Sequence, residues 1–390
     1  MILRARAMLT PTGLVKNGWV RVEGDRIVDA SSAGERPPDE TVVGAGVHSV
    51  TEVNLAGEGV VDVDGVLSPG FVDVHSHGGG GTNFGDGVDQ ARTVLATHLA
   101  HGTTTMLASL VTGSIETLET QIRALSALVE TGELAGVHLE GPWLSEHFKG
   151  AHEESLLVDP DLDDVTRLLD ACTDVVRMVT IAPEKPGALD AIALMTSRGV
   201  VVAIGHTGAD YDEALAGIAA GARGTTHLFN AMPPLLHRRP GPVLACWADP
   251  RMWVELVCDG VHVHPDLIAH VARTKPDKVV LITDAMAAAG FTDGDYLLGA
   301  LPVEVRDGIA LIAGTTTIAG STLTLDKAVR TAVRAGVPLE VALRAATCNP
   351  ADYLGLSHVG RIAKGLFADF VVLDDDCNVT RVMRHGQWVN

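Results

Sequence analysis

Residues 68–81 read SPGFVDVHSHGGGG, in which a strand-like apolar run, residues 71–74, leads into two histidines and then four glycines. Because side chains alternate between the two faces of a strand, His75 and His77 can point to the same side where the strand ends. Two neighbouring imidazoles are a potential pair of metal ligands. A His-x-His pair alone is weak evidence, because it is frequent by chance and polar residues at strand ends often meet solvent.

The composition is that of a large globular enzyme. A chain of 390 residues favours one large domain with a smaller one, and a (β/α)8 barrel of about 250 residues fits within it. The formal net charge of −20, with no basic run, argues against a nucleic-acid partner. No secretory-type apolar segment and no run of 18 apolar residues occurs, so we expect no membrane association and a soluble, cytoplasmic protein. The five scattered cysteines form no CxxC motif and predict neither disulfides nor a zinc knuckle.

The middle of the chain alternates short apolar runs with segments of helical periodicity. The eight strand candidates are residues 71–74, 103–107, 136–139, 176–181, 200–204, 224–226, 253–257 and 279–283. The clearest helix candidate, residues 115–129, has apolar side chains at i, i+3 and i+4 spacing. Eight βα units predict an α/β protein with a TIM-type (β/α)8 barrel.

The two ends of the chain are β-rich. Alternating residues around Gly24 and Asp25 predict a hairpin, residues 34–39 a loop, and residues 51–66 another pair of short strands. The C-terminal strand candidates are residues 370–373, 379–383 and 387–389. Because chain termini often lie close together, we expect residues 1–65 plus 362–390 to form a small β-sandwich domain beside a barrel of residues 66–361.

Side chains of the metal-ligand type follow five of the eight predicted strands. They are His75 and His77 after the first strand, Glu140 after the third, His206 after the fifth, His227 after the sixth and Asp284 after the eighth. The C-terminal ends of barrel strands form one rim, and that rim carries the chemistry. A single residue of this kind has a structural alternative, such as helix capping by Asp284, but six on one rim are not explained by chance.

These ligand types indicate a reaction class. Imidazole and carboxylate without thiolate suit Zn²⁺ or another divalent first-row ion. Such an ion polarises a carbonyl group and lowers the pKa of a water molecule that it binds. We therefore expect hydrolysis at an acyl or related carbon, with Asp284 as general base and then general acid.

Longer motifs carry a family resemblance. They are HLEGP at 138–142, KGAH at 149–152, GHT at 205–207, THLFNAMPP at 226–234, DGVH at 259–262, TDAM at 283–286 and IAGSTLTLDKAV at 318–329. With these motifs the chain resembles the N-acetylglucosamine-6-phosphate deacetylase family of the amidohydrolase superfamily over essentially its whole length. The resemblance implies hydrolysis of N-acetyl-D-glucosamine 6-phosphate to D-glucosamine 6-phosphate and acetate. The alternatives are the deacetylase of the galactosamine epimer, another amidohydrolase activity, and a non-catalytic scaffold.

The resemblance also implies roles for individual residues. Glu140, His206 and His227 would bind a divalent metal, most readily Zn²⁺, and Asp284 would transfer the proton. His75 and His77 would bind a second ion bridged by Glu140, although a site with one ion is the main competitor. The implied substrate contacts are Ala151, His152, Asn230, Ala231, His262, Ile318, Ala319 and Gly320. Arg238 would reach the substrate phosphate across a homodimer interface, with Arg239 as the alternative donor.

Overall fold

The computed structural model describes residues 1–31 and 59–389. The loop predicted at residues 34–39 and the first part of the strand pair predicted at residues 51–66 lie outside the described residues. The strands are β1 (Ile2–Thr10), β2 (Gly13–Glu23), β3 (Arg26–Ala30), β4 (Val60–Pro69), β5 (Phe71–Asp73), β6 (Gly78–Gly79), β7 (Thr82–Asn83), β8 (Thr103–Val111), β9 (Gly136–Glu140), β10 (Val176–Ile181), β11 (Val201–Ile204), β12 (Gly224–Thr225), β13 (Trp253–Val257), β14 (Val279–Ile282), β15 (Gly294–Leu298), β16 (Leu301–Arg306), β17 (Ile309–Ile312), β18 (Phe370–Leu373), β19 (Val379–Arg384) and β20 (Gln387–Val389). The α-helices are α1 (Val88–Ala100), α2 (Ile115–Glu130), α3 (Leu162–Asp170), α4 (Ala188–Ser197), α5 (Tyr211–Ala220), α6 (Gly241–Ala248), α7 (Pro265–Thr274), α8 (Leu325–Arg334), α9 (Leu339–Ala345) and α10 (Cys348–Leu354).

Eight parallel strands form the central sheet, in the spatial order β14-β13-β12-β11-β10-β9-β8-β5. Its first and last strands approach each other, because the Asp284 N–H donates to the His75 carbonyl at 2.8 Å and a parallel bridge joins Ser76 to Ala285. The sheet is therefore a nearly closed barrel, which confirms the predicted fold class. All eight predicted strands are present, and β8 runs on to Val111 instead of ending at residue 107.

Helices cover the outside of the barrel, and α2 shows why they form there. The Ser114 hydroxyl caps α2 by accepting a hydrogen bond from the Thr117 N–H at 3.2 Å. The face of α2 that packs inward carries Leu118, Ile122, Leu125 and Leu128, all of them buried. Burying one such side chain contributes about 1.5–3 kcal/mol, so packing against the barrel stabilises this helix.

Segments from both termini form a separate seven-stranded sheet in the order β20-β19-β18-β4-β1-β2-β3. Strands β1 and β4 are parallel and the other pairs are antiparallel. The hairpin predicted around Gly24 and Asp25 is confirmed as the β2–β3 turn. Leu3, Leu67 and Phe370 belong to the apolar core of this sheet. The boundaries drawn at residues 65/66 and 361/362 stay a prediction.

A three-stranded antiparallel sheet, β15-β16-β17, follows the last barrel strand and was not predicted. Its second turn holds Asp307 and Gly308 at φ of 53° and 73°, the left-handed backbone of a tight hairpin. Leu298 belongs to the small apolar core formed with the segment after β14. We call β15–β17 the inserted sheet, and it borders the C-terminal rim of the barrel.

No helix among residues 1–31 and 59–389 has the length and apolar character needed to cross a membrane. All five cysteines are free thiols, and four of them are buried. Burial raises the pKa of the Cys246 thiol to about 12, so this thiol stays protonated and unreactive.

Candidate metal centre and active site

Glu140, His206 and His227 meet at the C-terminal rim of the barrel. The two imidazole Nε2 atoms lie 3.0 Å apart, and they are 3.2 Å (His206) and 3.1 Å (His227) from Glu140 Oε1. Glu140 ends β9, whereas the histidines follow β11 and β12 with φ of 47° and 29°. A left-handed backbone is strained in non-glycine residues and is found preferentially at functional sites. The fold therefore holds these two imidazoles in place at a cost in backbone energy.

His75, His77 and Asp284 form a second donor set beside the first. The two Nε2 atoms are 3.1 Å apart, and each lies 3.4 Å from Asp284 Oδ1. Asp284 also has a left-handed backbone, with φ of 49°. Glu140 connects the two sets, because its Oε2 lies 3.0 Å from His77 Nε2 while its Oε1 faces His206 and His227.

The spacing of these donor atoms fits divalent metal ions. Ligand atoms bound at about 2.0–2.1 Å in a tetrahedral arrangement lie about 3.3 Å from one another. The donor atoms within each set are separated by 3.0–3.4 Å. His152 is a further potential ligand, with its Nε2 3.4 Å from Glu140 Oε2. The residues present can therefore hold one or two divalent ions, and the assignment of individual ligands stays a prediction.

Charges in the cluster oppose the effect of burial. Burial alone would lower the pKa of His75, but the carboxylates of Glu140 and Asp284 raise it well above its usual range. Burial alone would raise the pKa of Asp284, and the charge of His75 together with the hydrogen bond from His77 brings it to about 2. The buried carboxylates thus favour positive charge among the histidine side chains, and such an environment is suited to a bound cation.

Groups behind the histidines fix their orientation, and these groups were not predicted from the sequence. His206 Nδ1 donates to the Phe148 carbonyl at 2.9 Å, and His77 Nδ1 donates to the Ser109 carbonyl at 3.2 Å. Nδ1–H groups held in this way leave the Nε2 lone pairs facing the cluster.

Glu255 performs the same task for His75, because its Oε2 lies 3.4 Å from His75 Nδ1. The carboxylate is fully buried, and the Tyr353 hydroxyl donates to its other oxygen at 3.2 Å. A charged residue in the middle of the apolar strand β13, WVELV, is the signal in the sequence that identifies it.

A cavity of about 290 Å³ lies against the cluster. Its lining includes twelve of the fifteen site residues predicted from the sequence, namely His77, Glu140, Ala151, His152, His206, His227, Asn230, Ala231, His262, Asp284, Ile318 and Gly320. His75 and Ala319 do not line it and are fully buried. Arg238 is elsewhere, in a separate cavity that it shares with Arg239. The lining residues that sequence reasoning did not single out are Val111, Gly150, Leu298, Thr316 and Thr317.

His152 and His262 differ in the hydrogen bonds that they make. Thr112 contacts His152 Nδ1 through both its N–H, at 3.4 Å, and its hydroxyl oxygen, at 2.8 Å, and the Nε2 atom of His152 faces Glu140. Burial, together with the charge of His206, lowers the pKa of His152 to about 4. His262 Nδ1 instead donates to Asp259 Oδ2 at 2.6 Å. Burial opposes protonation of His262, but the bond and charge of Asp259 raise its pKa.

A nearly closed (β/α)8 barrel with histidine and carboxylate donor sets on its C-terminal rim defines the class of metal-dependent barrel hydrolases. The sequence model of the Amidohydrolase family matches residues 66–389. The chain therefore belongs to the amidohydrolase family, as predicted from its motifs.

Named relatives that the chain resembles are deacetylases of phosphorylated N-acetyl amino sugars. The chain is 46% identical to a mutant of N-acetyl-D-glucosamine-6-phosphate deacetylase from Mycobacterium smegmatis in complex with N-acetyl-D-glucosamine-6-phosphate, with a TM-score of 0.92 and coverage of 100% of this chain and 98% of that one. It is 34% identical over 393 residues to N-acetylgalactosamine-6-phosphate deacetylase of Escherichia coli O157:H7, which covers 99% of this chain and 98% of the relative. It is 37% identical over 340 residues to N-acetylglucosamine-6-phosphate deacetylase of Homo sapiens, covering 83% of each chain.

Proposed function

We propose that this protein is a metal-dependent hydrolase that removes acetate from N-acetyl-D-glucosamine 6-phosphate. The observation that carries the proposal is the pair of donor sets joined by Glu140, which face one cavity of about 290 Å³. The full-length similarity to the M. smegmatis deacetylase, at 46% identity, supports this choice of substrate.

The residues of the cluster divide the work of amide hydrolysis. A bound divalent ion, for which we propose Zn²⁺, supplies a Lewis acid that polarises the acyl carbonyl and makes a water molecule more acidic. Glu140, His206 and His227 would hold one ion, and His75 and His77 with Glu140 a second. Asp284 Oδ1 accepts a proton from the attacking water and returns it to the leaving nitrogen.

His152 and His262 bind the substrate in this proposal. Thr112 holds the His152 ring through Nδ1, and we propose that the Nε2 side of the ring donates a hydrogen bond to the acyl oxygen. His262 lines the same cavity with Asn230, and its raised pKa favours the cationic form that attracts phosphate. Substrate contacts through Ala151, Ala231 and the loop 318–320 belong to the same proposal.

A second copy of the chain would complete the phosphate site. No lysine or arginine lines the 290 Å³ cavity within the part of the chain that the structure describes. Arg238 and Arg239 lie exposed on a hairpin that also displays Leu235 and Leu236, each 42% exposed. Exposed apolar side chains beside a cation suit contact with another subunit. We propose a homodimer in which Arg238, or alternatively Arg239, reaches the neighbouring cavity.

The galactosamine epimer is the second candidate substrate. The observation that favours it is the E. coli O157:H7 relative named for that sugar, which aligns with 99% of this chain. One hydroxyl distinguishes the two epimers, and a few hydrogen bonds in the cavity would decide between them.

Acetate release from both phosphosugars, with metal content measured on the same sample, tests the proposal. We expect a preference for the gluco epimer, loss of activity on chelation and recovery with Zn²⁺. A clear preference for the galacto epimer would replace the substrate. Protein that binds no metal and releases acetate from neither sugar would favour a non-catalytic scaffold, whereas metal-loaded protein that releases acetate from neither sugar would favour another amidohydrolase activity.

A further inference from the structure

A second cavity, of about 460 Å³, adjoins the candidate active site. The two cavities have three lining residues in common, His77, Val111 and Leu298. Val111 ends β8, where its backbone pairs with Glu140, and Leu298 ends β15 of the inserted sheet. Val111 packs against the apolar cluster that contains Leu298. These two side chains therefore form an apolar wall that faces both cavities.

The chemistry of the lining indicates which part of the substrate meets this wall. A phosphosugar is polar over its ring and anionic at its phosphate. The polar lining residues Asn230 and His262 suit these parts of the substrate. The alkyl end of the N-acyl group is its apolar part. Large apolar side chains in the described lining of the cavity are Val111, Leu298 and Ile318. An acyl carbonyl held by His152 would thus direct its alkyl end towards the wall.

The wall has little room to move. Gly299 follows Leu298 with φ of 56°, and a Cβ at this position would lie 2.9 Å from Val111 Cγ2. The turn between β15 and β16 thus packs directly on Val111. Closely packed apolar groups do not compress to admit extra methylene groups. Behind the wall, by contrast, the second cavity offers space.

We infer that Val111 and Leu298 set the length of the acyl chain that the enzyme accepts, an inference that rests on the proposed function. An acetyl group ends at the wall. A butyryl group has two more carbons and would have to displace one of the two side chains. Removing either side chain joins the active-site cavity to the second cavity and admits the longer chain.

The test compares the metal-loaded wild type with Leu298→Ala and Val111→Ala on the N-acetyl, N-propionyl and N-butyryl forms of D-glucosamine 6-phosphate. The quantity measured is the ratio of kcat/KM for the butyryl substrate to that for the acetyl substrate. One methylene group in an apolar pocket changes discrimination by at least about tenfold, so we expect each variant to raise this ratio by about tenfold or more. Val111→Ala removes only two methyl groups, so it carries the test even if Leu298→Ala fails to fold.

Leu156→Ala is the matched control, because Leu156 lines the second cavity and not the active-site cavity. It enlarges the space behind the wall and leaves the wall intact, so its ratio should equal that of the wild type. Acetyl turnover with an unchanged ratio in both wall variants would overturn the inference alone, as would an equal shift in Leu156→Ala. A wild type that releases no acid from any of the three substrates would overturn the proposed function and the inference together.

Discussion

At the scale of single residues, Asp284 holds the position expected of a proton carrier. Its side chain is buried, and its Oδ1 lies 3.4 Å from the Nε2 atoms of both His75 and His77. Asp284→Asn preserves the shape of the side chain and removes the proton acceptor. We expect kcat to fall by about 10²–10⁴-fold, with metal content and KM for the phosphosugar little changed.

Steady-state kinetics and elemental analysis of the purified variant check this prediction. Asp266→Asn, at the exposed start of α7, is the control for an Asp-to-Asn change and should keep wild-type turnover. Normal turnover in Asp284→Asn would refute the role in proton transfer.

The proposed phosphate-binding role of His262 predicts a pH dependence, and its sign follows from the groups around His262. Burial favours its neutral form, but Asp259 and, more weakly, Asp284 raise the pKa of His262 above 6.5. If His262 binds the phosphate, its attraction for the phosphate is complete below the ordinary pKa of histidine and is lost as the pH rises through the raised pKa. Asp259→Asn removes the main cause of the shift, so the rise in KM should move to lower pH.

KM measured between about pH 6 and pH 9 for the wild type and Asp259→Asn checks this prediction. His262→Asn is the control, because it should remove the histidine-dependent part of the profile altogether. If Asp259→Asn and the wild type gave superimposable profiles, His262 would not be the group that binds the phosphate.

At the scale of secondary structure elements, the sequence predicts the barrel well because buried parallel strands are continuous apolar runs. The bounds predicted for β10 and β13 agree with the structure residue for residue. Residues that directly follow the barrel strands lie on one rim, so the donor residues could be predicted to meet there. Long-range packing carries no comparable local signal, so the wall formed by Val111 and Leu298 could not be predicted. The charge of Glu255 within the apolar strand β13 marks that residue but does not show which side chain it contacts.

The inserted sheet was missed for a different reason. Its strands alternate between buried and exposed residues, as in β16, and the Asp307–Gly308 turn is a strong hairpin signal. The eight βα units account for the expected barrel without residues 294–312, so the barrel pattern assigns no element to this segment. A segment inserted after the last barrel strand has to pack against the rest of the protein, and here its residue Leu298 lines the cavity.

The close packing of helix α10 on the short strand β12 can be tested by mutation. A Cβ added at Gly224 would lie 1.6 Å from the Tyr353 hydroxyl oxygen, so α10 packs directly on the backbone of this strand. Gly224→Ala forces the ring away and disturbs its hydrogen bond to Glu255. We expect a loss of about 1–3 kcal/mol or more in the free energy of unfolding, measured by urea denaturation.

Gly113→Ala is the matched control, because a Cβ there meets no atom closer than 3.6 Å. It should leave the free energy of unfolding close to that of the wild type. Equal stability of the two variants would show that Tyr353 does not pack on β12 as described.

At the scale of the whole molecule, a chain with a net charge of −20 has to bind an anionic phosphosugar against its overall electrostatic repulsion. The cation that binds the phosphate must therefore be local. Within the described residues the cavity lining offers histidines but no lysine or arginine, while Arg238 stands on an exposed hairpin. The proposed two-fold dimer would remove this conflict, because each cavity would then receive a guanidinium group from the neighbouring subunit.

Mixing two defective variants tests this exchange directly. Asp284→Asn lacks the proposed proton carrier, and Arg238→Ala lacks the cation that we propose is donated to the neighbouring subunit. If Arg238 acts in the neighbouring subunit, a mixed dimer contains one site with Asp284 and Arg238 both intact. After refolding an equal mixture, half of the dimers are mixed and each has one such site, so activity at low substrate concentration should reach about a quarter of the wild-type value.

An arginine acting within its own subunit gives a different result, because no site in the mixed dimer then has both residues. The activity of the mixture would be no more than the average of the two variants measured separately. The same experiment with Arg239→Ala in place of Arg238→Ala decides between the two arginines. Recovery to about a quarter of the wild-type activity from two defective variants should occur only for the arginine that acts in the neighbouring subunit. A fully active monomer, identified by light scattering at assay concentration, would exclude the exchange, because a site complete in one chain needs no cation from a second.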